Sequence, residues 1–317
     1  MYLGVGSNRH KNGHKNQHKT SSAIAELLTF ASNFRSPERP TMKRFKVLPL
    51  ILAALVLSAC SSNTTDSSSS CEPGKLKTVN DGVLTIATGE PAYYPWVIDD
   101  KPESGNGFEA AVALAVAKEL GYEGDMVKWV RTTFDSAIAP GEKNFDFNLQ
   151  QFSITEERKK AVDFSDPYYK STQVIVSFKG SKIANAKSIA DLANAKLGAA
   201  VATTSLDAIE NILKLKAQVF NDNAAGVTAL KNKQIDGLVV DLPTGFYLSG
   251  VEVPNGLIVG QIAGSDEADA GFGLLLKKDS AITGCVNKAV KAITDSGQLK
   301  EITDKWLGAT AGAPVLS

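Results

Sequence analysis

Helical and extended patterns take turns along residues 188–259, and that alternation limits the folds open to the chain. Helix-like pieces at 188–193, 205–214, 223–231 and 243–249 are interleaved with strand-like pieces at 196–200, 218–220, 237–240 and 257–259. Such alternation predicts an α/β unit with a mainly parallel sheet. A similar set lies upstream. A β-branched strand at 83–88 is followed by an alanine-rich helix at 107–121, which Gly121 closes. Extended segments at 125–130 and 145–149 flank a short helix that starts near Thr132. A long extended run at 169–178, a strand at 272–276 and helices at 279–296 and 298–307 complete the pattern.

The first eighty residues read differently. Met42–Lys46 is basic and is followed by an apolar run of about eleven residues, too short to span a bilayer as a stable helix. The run ends in Leu57-Ser58-Ala59-Cys60, which resembles the lipobox of bacterial lipoproteins. Residues 42–60 are therefore predicted to be a lipoprotein signal, with Cys60 diacylated. Two acyl chains are what stable anchoring requires. Residues 61–80 then form a polar tether, rich in Ser and Thr at first. Residues 1–41 precede this signal without clear periodicity and are expected to be an upstream extension that is not native. His10, His14 and His18 are spaced as metal ligands on a helix would be, but Gly13 and nearby asparagines argue against that helix, and no metal site is expected.

Removing residues 1–60 takes nine of the 34 basic and two of the 34 acidic side chains, leaving a net charge near −7. That balance disfavours nucleic acid as a partner and confines membrane contact to the lipid anchor. It also removes all three histidines, and with them Ser-His-Asp and Cys-His chemistry. Cys71 and Cys285 remain, and outside the membrane they are expected to join as a disulfide; two free buried thiols are the alternative.

The stretch QQFSITEERKKAVDFSDPYY, residues 150–169, carries the functional signal. Ser153 or Thr155 can cap a helix, and Glu156 stands at capping-box spacing from Ser153. Arg158 then falls in the first helical turn, where a cation opposes the helix dipole. Either it is a surface residue paired with Glu157 or Asp163, or it holds an anion. The run from Ser153 to Tyr169 closely resembles the polar amino-acid-binding proteins of ABC importers, the extracellular solute-binding proteins of family 3. The likeness extends more weakly over residues 83–308.

The resemblance implies a two-lobed clamp of the type II periplasmic-binding-protein class. Lobe 1 would comprise 81–172 and 269–317, and lobe 2 173–268, with crossings at 169–178 and 261–271. It implies that Arg158 clamps a ligand carboxylate, which a guanidinium fork fits bidentately. Thr203, Thr204 and Ser205, at a helix start, would add exposed amides, with Ala202 replacing the family's glycine. Asp241 would bind the ammonium, although Asp-x-Pro also suits an N-cap. Glu90, Tyr93, Tyr94 and Trp96 supply a loop with an acid and an aromatic wall, or else cover a core edge. Phe134 would stack on the ligand side chain, and Gln150, Gln151 and Ser153 would line the pocket. Glu109 stands where relatives carry the first acid of a Gly-Phe-Asp-x-Asp pattern, and Ala111 replaces the second. The implied protein is a monomeric, extracytoplasmic, lipid-anchored binding protein that takes one free amino acid to an ABC permease. It would use no cofactor and catalyse nothing. A dehydratase of the prephenate or arogenate kind and a sensing ectodomain are the alternatives. Gly271-Phe272-Gly273 is no nucleotide motif, since no helix opens after it.

Overall fold

A computed structural model describes residues 71–265, 270–308 and 312–316. The expectations for the upstream extension, the signal with Cys60, the start of the tether and part of the return crossing lie outside those residues. In chain order the strands are β1 (Leu84–Gly89), β2 (Val127–Thr132), β3 (Phe147–Asn148), β4 (Val162–Phe164), β5 (Gln173–Phe178), β6 (Leu197–Ala200), β7 (Gln218–Phe220), β8 (Gly237–Asp241), β9 (Gly256–Ile262), β10 (Leu275–Lys277) and β11 (Val315–Leu316). The α-helices are α1 (Phe108–Glu119), α2 (Phe134–Ile138), α3 (Thr204–Asp207), α4 (Asn223–Lys231), α5 (Leu242–Tyr247), α6 (Thr283–Asp295) and α7 (Gln298–Leu307).

Two sheets define two lobes. The first runs β2-β1-β3-β10-β4 and the second β11-β9-β5-β8-β6-β7. In lobe 1, α1, α6 and α7 cover one face through Phe108, Val112, Val116, Val286, Val290 and Leu307. The other face packs Ala87, Phe152, Val162 and Leu275 around the α2 residue Ala137. Lobe 2 likewise has two apolar layers. One is centred on Ile175, Leu197, Ile209 and Val239, the other on Val176, Leu230, Leu238 and Leu248. Both sheets are thus buried on both faces, as their near-continuous apolar strands require.

The second sheet is mixed rather than mainly parallel. β6 pairs in parallel with β7 and β8, but β5 is antiparallel to both β8 and β9. The reason is the crossing. β5 enters from the other lobe and β9 leads back towards it, so neither takes its direction from a crossover helix. β11 adds in parallel to β9. The last described residues therefore belong to the second sheet, which corrects the expectation that 269–317 lies wholly in lobe 1.

The helix expected after Ser153 is a single 3-10 turn, Arg158–Lys160. Thr155 Oγ1 accepts from the Arg158 amide at 3.2 Å, whereas Ser153 bridges to Phe272 on the returning chain. No Ser153–Glu156 capping box forms, because Ser153 is held in an extended pairing; Glu156 pairs with Lys159 instead. Cys71 and Cys285 are disulfide-bonded with Cα atoms 5.4 Å apart, tying the start of the described chain to α6.

Candidate functional site

The loop after β1 is fixed by the helix that follows it. The amides of Phe108 and Glu109 donate to the carbonyls of Pro95 and Trp96 at 2.9 and 3.0 Å. Gly107 sits at φ 107°, and a Cβ there would lie 2.4 Å from the Trp96 carbonyl oxygen, so only glycine permits this approach. Arg131 on β2 steadies the loop from below, donating to the Gly89 carbonyl at 2.9 Å and to Asp100. Docked in this way, Trp96 is 1% exposed and packs edge-on against Phe108, Tyr169 and Phe272. Its Nε1 donates to Thr244 Oγ1 of lobe 2 at 2.8 Å.

A cavity of about 310 Å³ lies between the lobes. From lobe 1 it is lined by Glu90, Tyr93, Trp96, Glu109, Phe134, Asp135, Gln150 and Gln151, and from lobe 2 by Thr203, Thr204, Ser205, Asp222 and Asp241, among others. Among the described residues, five carboxylates thus line one space, and no lysine or arginine is among its lining residues. Trp96 both covers the core and touches the cavity, which joins the two roles that its loop position left open. Tyr94 turns away. It is 45% exposed, stacks on Tyr247 with centroids 4.7 Å apart, and borders a separate hollow of about 430 Å³.

Arg158 and Ser153 stand behind the lining. The Arg158 guanidinium donates to the Ser153 carbonyl at 2.8 Å and to the Ala202 carbonyl of lobe 2 at 2.9 Å. It also lies over the Phe134 ring, 5.3 Å from the centroid. Phe134 in turn stacks on Phe152. Glu157 and Asp163, the surface partners considered for Arg158, pair with Lys160 and Lys278. Ser153 Oγ is 3.3 Å from Thr204 Oγ1 across the cleft. The Thr203 side chain caps α3, accepting from the Leu206 amide at 3.1 Å. Ala202, just before it, is held at φ 61°, a left-handed conformation that glycine adopts more easily. Asp241 occupies the N-cap position of α5 but makes no side-chain capping bond; its Oδ1 accepts from Gln173 Nε2 at 2.7 Å.

Glu109 is the residue that sequence reasoning left without a role in the cleft. It is 2% exposed. Its carboxylate accepts from the Gln151 amide at 2.7 Å, from Gln151 Nε2 at 2.5 Å and from the Tyr168 hydroxyl. Burial outweighs these bonds and pushes its pKa up to about 7, with the Asp241 charge adding to the rise. Tyr168 is raised well above its usual range by burial and by Glu109. Tyr93 is pushed up to about 12 by burial and by Asp222, against a lowering contact with the Ala224 backbone. Gln150 Oε1 is buried and has no hydrogen-bond partner among the described residues. A signal for Glu109 did exist: a carboxylate in the first turn of a helix otherwise alanine-rich and apolar. Asp135 and Asp222 also went unassigned, since each reads as an ordinary residue at a helix start; Asp222 does cap α4, accepting from the Ala225 amide at 2.8 Å.

Comparison with known proteins agrees with this geometry. The arginine-binding extracellular protein ArtP of Bacillus subtilis (strain 168) is 30% identical over 272 residues, 82% of this chain and 97% of that protein. The glutamine-binding protein GlnH of an ABC transporter in the same organism is 30% identical over 281 residues, 84% of this chain and 98% of that protein. Among solved structures, an ancestral arginine-binding protein bound to glutamine superposes with a TM-score of 0.61 at 30% identity, covering 71% of this chain and 98% of that one. The profile of the bacterial extracellular solute-binding proteins, family 3, matches residues 84–309. With two α/β lobes around one acid-lined cleft, and that profile spanning both, the chain belongs to the bacterial extracellular solute-binding proteins, family 3.

Proposed function

We propose that the chain captures one free amino acid between its lobes, that the amino acid carries a cationic side chain, and that the loaded protein delivers it to an ABC permease. The observation that carries the reading is the cavity wall, with Glu90, Glu109, Asp135, Asp222 and Asp241 and no lysine or arginine among the described lining residues. Five carboxylates around one small space repel one another unless a cation enters. In this reading Asp241 takes the α-ammonium. The first-turn amides after Thr203 and the nearby Arg158 fork take the α-carboxylate. Tyr93, Trp96 and Phe134 flank the side chain, and Glu109 faces its cationic end. Contacts from both lobes mean that the ligand favours the closed form through its extra interactions there. The relatives matched over most of the chain are named for binding an amino acid, which favours capture over turnover.

Calorimetric titration with L-arginine, L-lysine, L-glutamine and L-glutamate tests the claim. A basic amino acid should bind in the micromolar range or tighter and L-glutamate at least a hundredfold more weakly. Equal affinity for L-glutamate would refute the cationic preference, and no binding by any common amino acid would refute the capture reading. The lipid anchor rests on the Leu57–Cys60 sequence, and detergent phase partitioning with Cys60→Ser as control tests it. The protein is proposed to act as a monomer, which sedimentation tests.

A further inference from the structure

Gln173 opens β5 and stands directly opposite Asp241 in the antiparallel pairing of β5 with β8. It is 2% exposed and is not among the residues that line the cavity. Its side chain nevertheless reaches the groups that do. Nε2 donates to Asp241 Oδ1 at 2.7 Å and lies 3.4 Å from Thr204 Oγ1. Oε1 accepts from Ser205 Oγ at 2.5 Å. The Gln173 amide donates to Ser265 Oγ in the returning chain at 3.0 Å, so the backbone beneath the side chain is held as well.

The chemistry of the carboxamide fits this place. An ionised carboxylate only accepts, so Nε2 must face Asp241, and Oε1 is then turned to the Ser205 hydroxyl. Glutamate here would set an anion against Asp241, and an apolar side chain of the same length would make neither bond. The Ser205 hydroxyl is engaged with Gln173, so its proton is not offered to the cleft. Ser205 therefore braces Gln173, and Gln173 fixes Oδ1 of Asp241 and with it the orientation of the carboxylate.

We infer that Gln173, braced by Ser205, is a positioning residue that aims the Asp241 carboxylate at the α-ammonium of the bound amino acid. The inference rests on the reading that the cleft holds a free amino acid by both of its ends. Loss of a charge-assisted bond at a half-buried carboxylate, together with the freedom it gives the remaining group, is felt in affinity for the amine end alone. The carboxylate end, held by backbone amides and the arginine fork, keeps its contacts.

The test is the ratio of two affinities. L-Arginine is compared with 5-guanidinopentanoic acid, the same molecule without its α-amine; L-glutamine and 4-carbamoylbutanoic acid form the second probe pair if arginine does not bind. In the parent protein the amine should be worth a hundredfold or more in dissociation constant. In Gln173→Met that ratio should fall to about tenfold or less, while the des-amino probe binds within twofold of its parental affinity. Ser205→Ala, a milder change that keeps the test alive if Gln173→Met does not fold, should lower the ratio in the same direction. A parallel loss for both probes in both variants would mean a structural role only and overturn the inference, as would unchanged ratios. Should the parent bind none of the common amino acids, the reading of the cleft fails first and this inference falls with it; a parent that binds while the ratios stay fixed defeats the inference alone.

Discussion

Replacing Glu109 by glutamine isolates the electrostatic cost of burying this carboxylate in the site. Burial is the dominant influence on this carboxyl and holds its pKa at about 7 against an ordinary 4.5. The sign follows from where each state keeps the proton. The folded protein retains it to about pH 7, while an unfolded chain releases it near 4.5. The group's contribution to stability is therefore fully present below 4.5 and is lost as pH rises through 7. A gap of this size corresponds to about 3 kcal/mol, most of which falls between pH 5 and pH 8. Glutamine keeps the shape. Its oxygen can accept from the Gln151 amide and the Tyr168 hydroxyl, and the Gln151 side chain can turn its own oxygen towards the new amide. No charge is left to bury. Urea denaturation of ligand-free parent and Glu109→Gln at pH 5 and pH 8 measures the difference, and other titrating groups cancel between the two proteins. The variant should gain about 2–3 kcal/mol on the parent as pH rises from 5 to 8, or roughly 5–10 °C in melting temperature for a domain of this size. A stability difference that is the same at both pH values would refute the argument that burial holds the proton. The same reasoning makes affinity for a cationic ligand rise with pH up to about 7 in the parent and become flat in the variant.

Other perturbations probe separate parts of the structure. Arg158→Ala removes the fork that joins the Ser153 and Ala202 carbonyls across the cleft, and should weaken ligand binding by about 2–5 kcal/mol in calorimetry; unchanged affinity would end its assignment to the carboxylate. Trp96→Phe deletes the 2.8 Å bond to Thr244 and leaves a buried hydroxyl without its donor, costing about 1–3 kcal/mol in chemical denaturation. Combined with Thr244→Val, the loss should be clearly less than additive if the two side chains act as a pair. Cys285→Ser opens a covalent loop spanning 214 residues and should lower stability by up to about 5 kcal/mol, the upper bound of the chain-entropy account; a loss below about 1 kcal/mol would show that the crosslink constrains little in the unfolded chain.

Local sequence determined the elements and the chemistry of the turns. Alternating apolar runs and helix-start residues placed α1, α4 and β8 because those patterns depend on neighbours a few positions away. Thr203 was legible as a helix start, and its cap bond to Leu206 is local too. The family likeness in 150–169 was legible as a linear motif, even though its helix shrank to one turn when Ser153 was taken into an extended pairing with Phe272. What tertiary structure alone decided is which side chains share a space. Tyr93 and Tyr94 are adjacent in sequence, yet one faces the cavity and the other stacks on Tyr247, because the loop is oriented by the amides at the start of α1. Glu109 became a cleft carboxylate because α1 docks its first turn beneath Gln151, 42 residues away. Gln173 became a support for Asp241 because β5 and β8 lie side by side, although 68 positions separate the two residues. Propensity acts over the length of a turn, whereas burial and charge act over distances that only the folded chain sets.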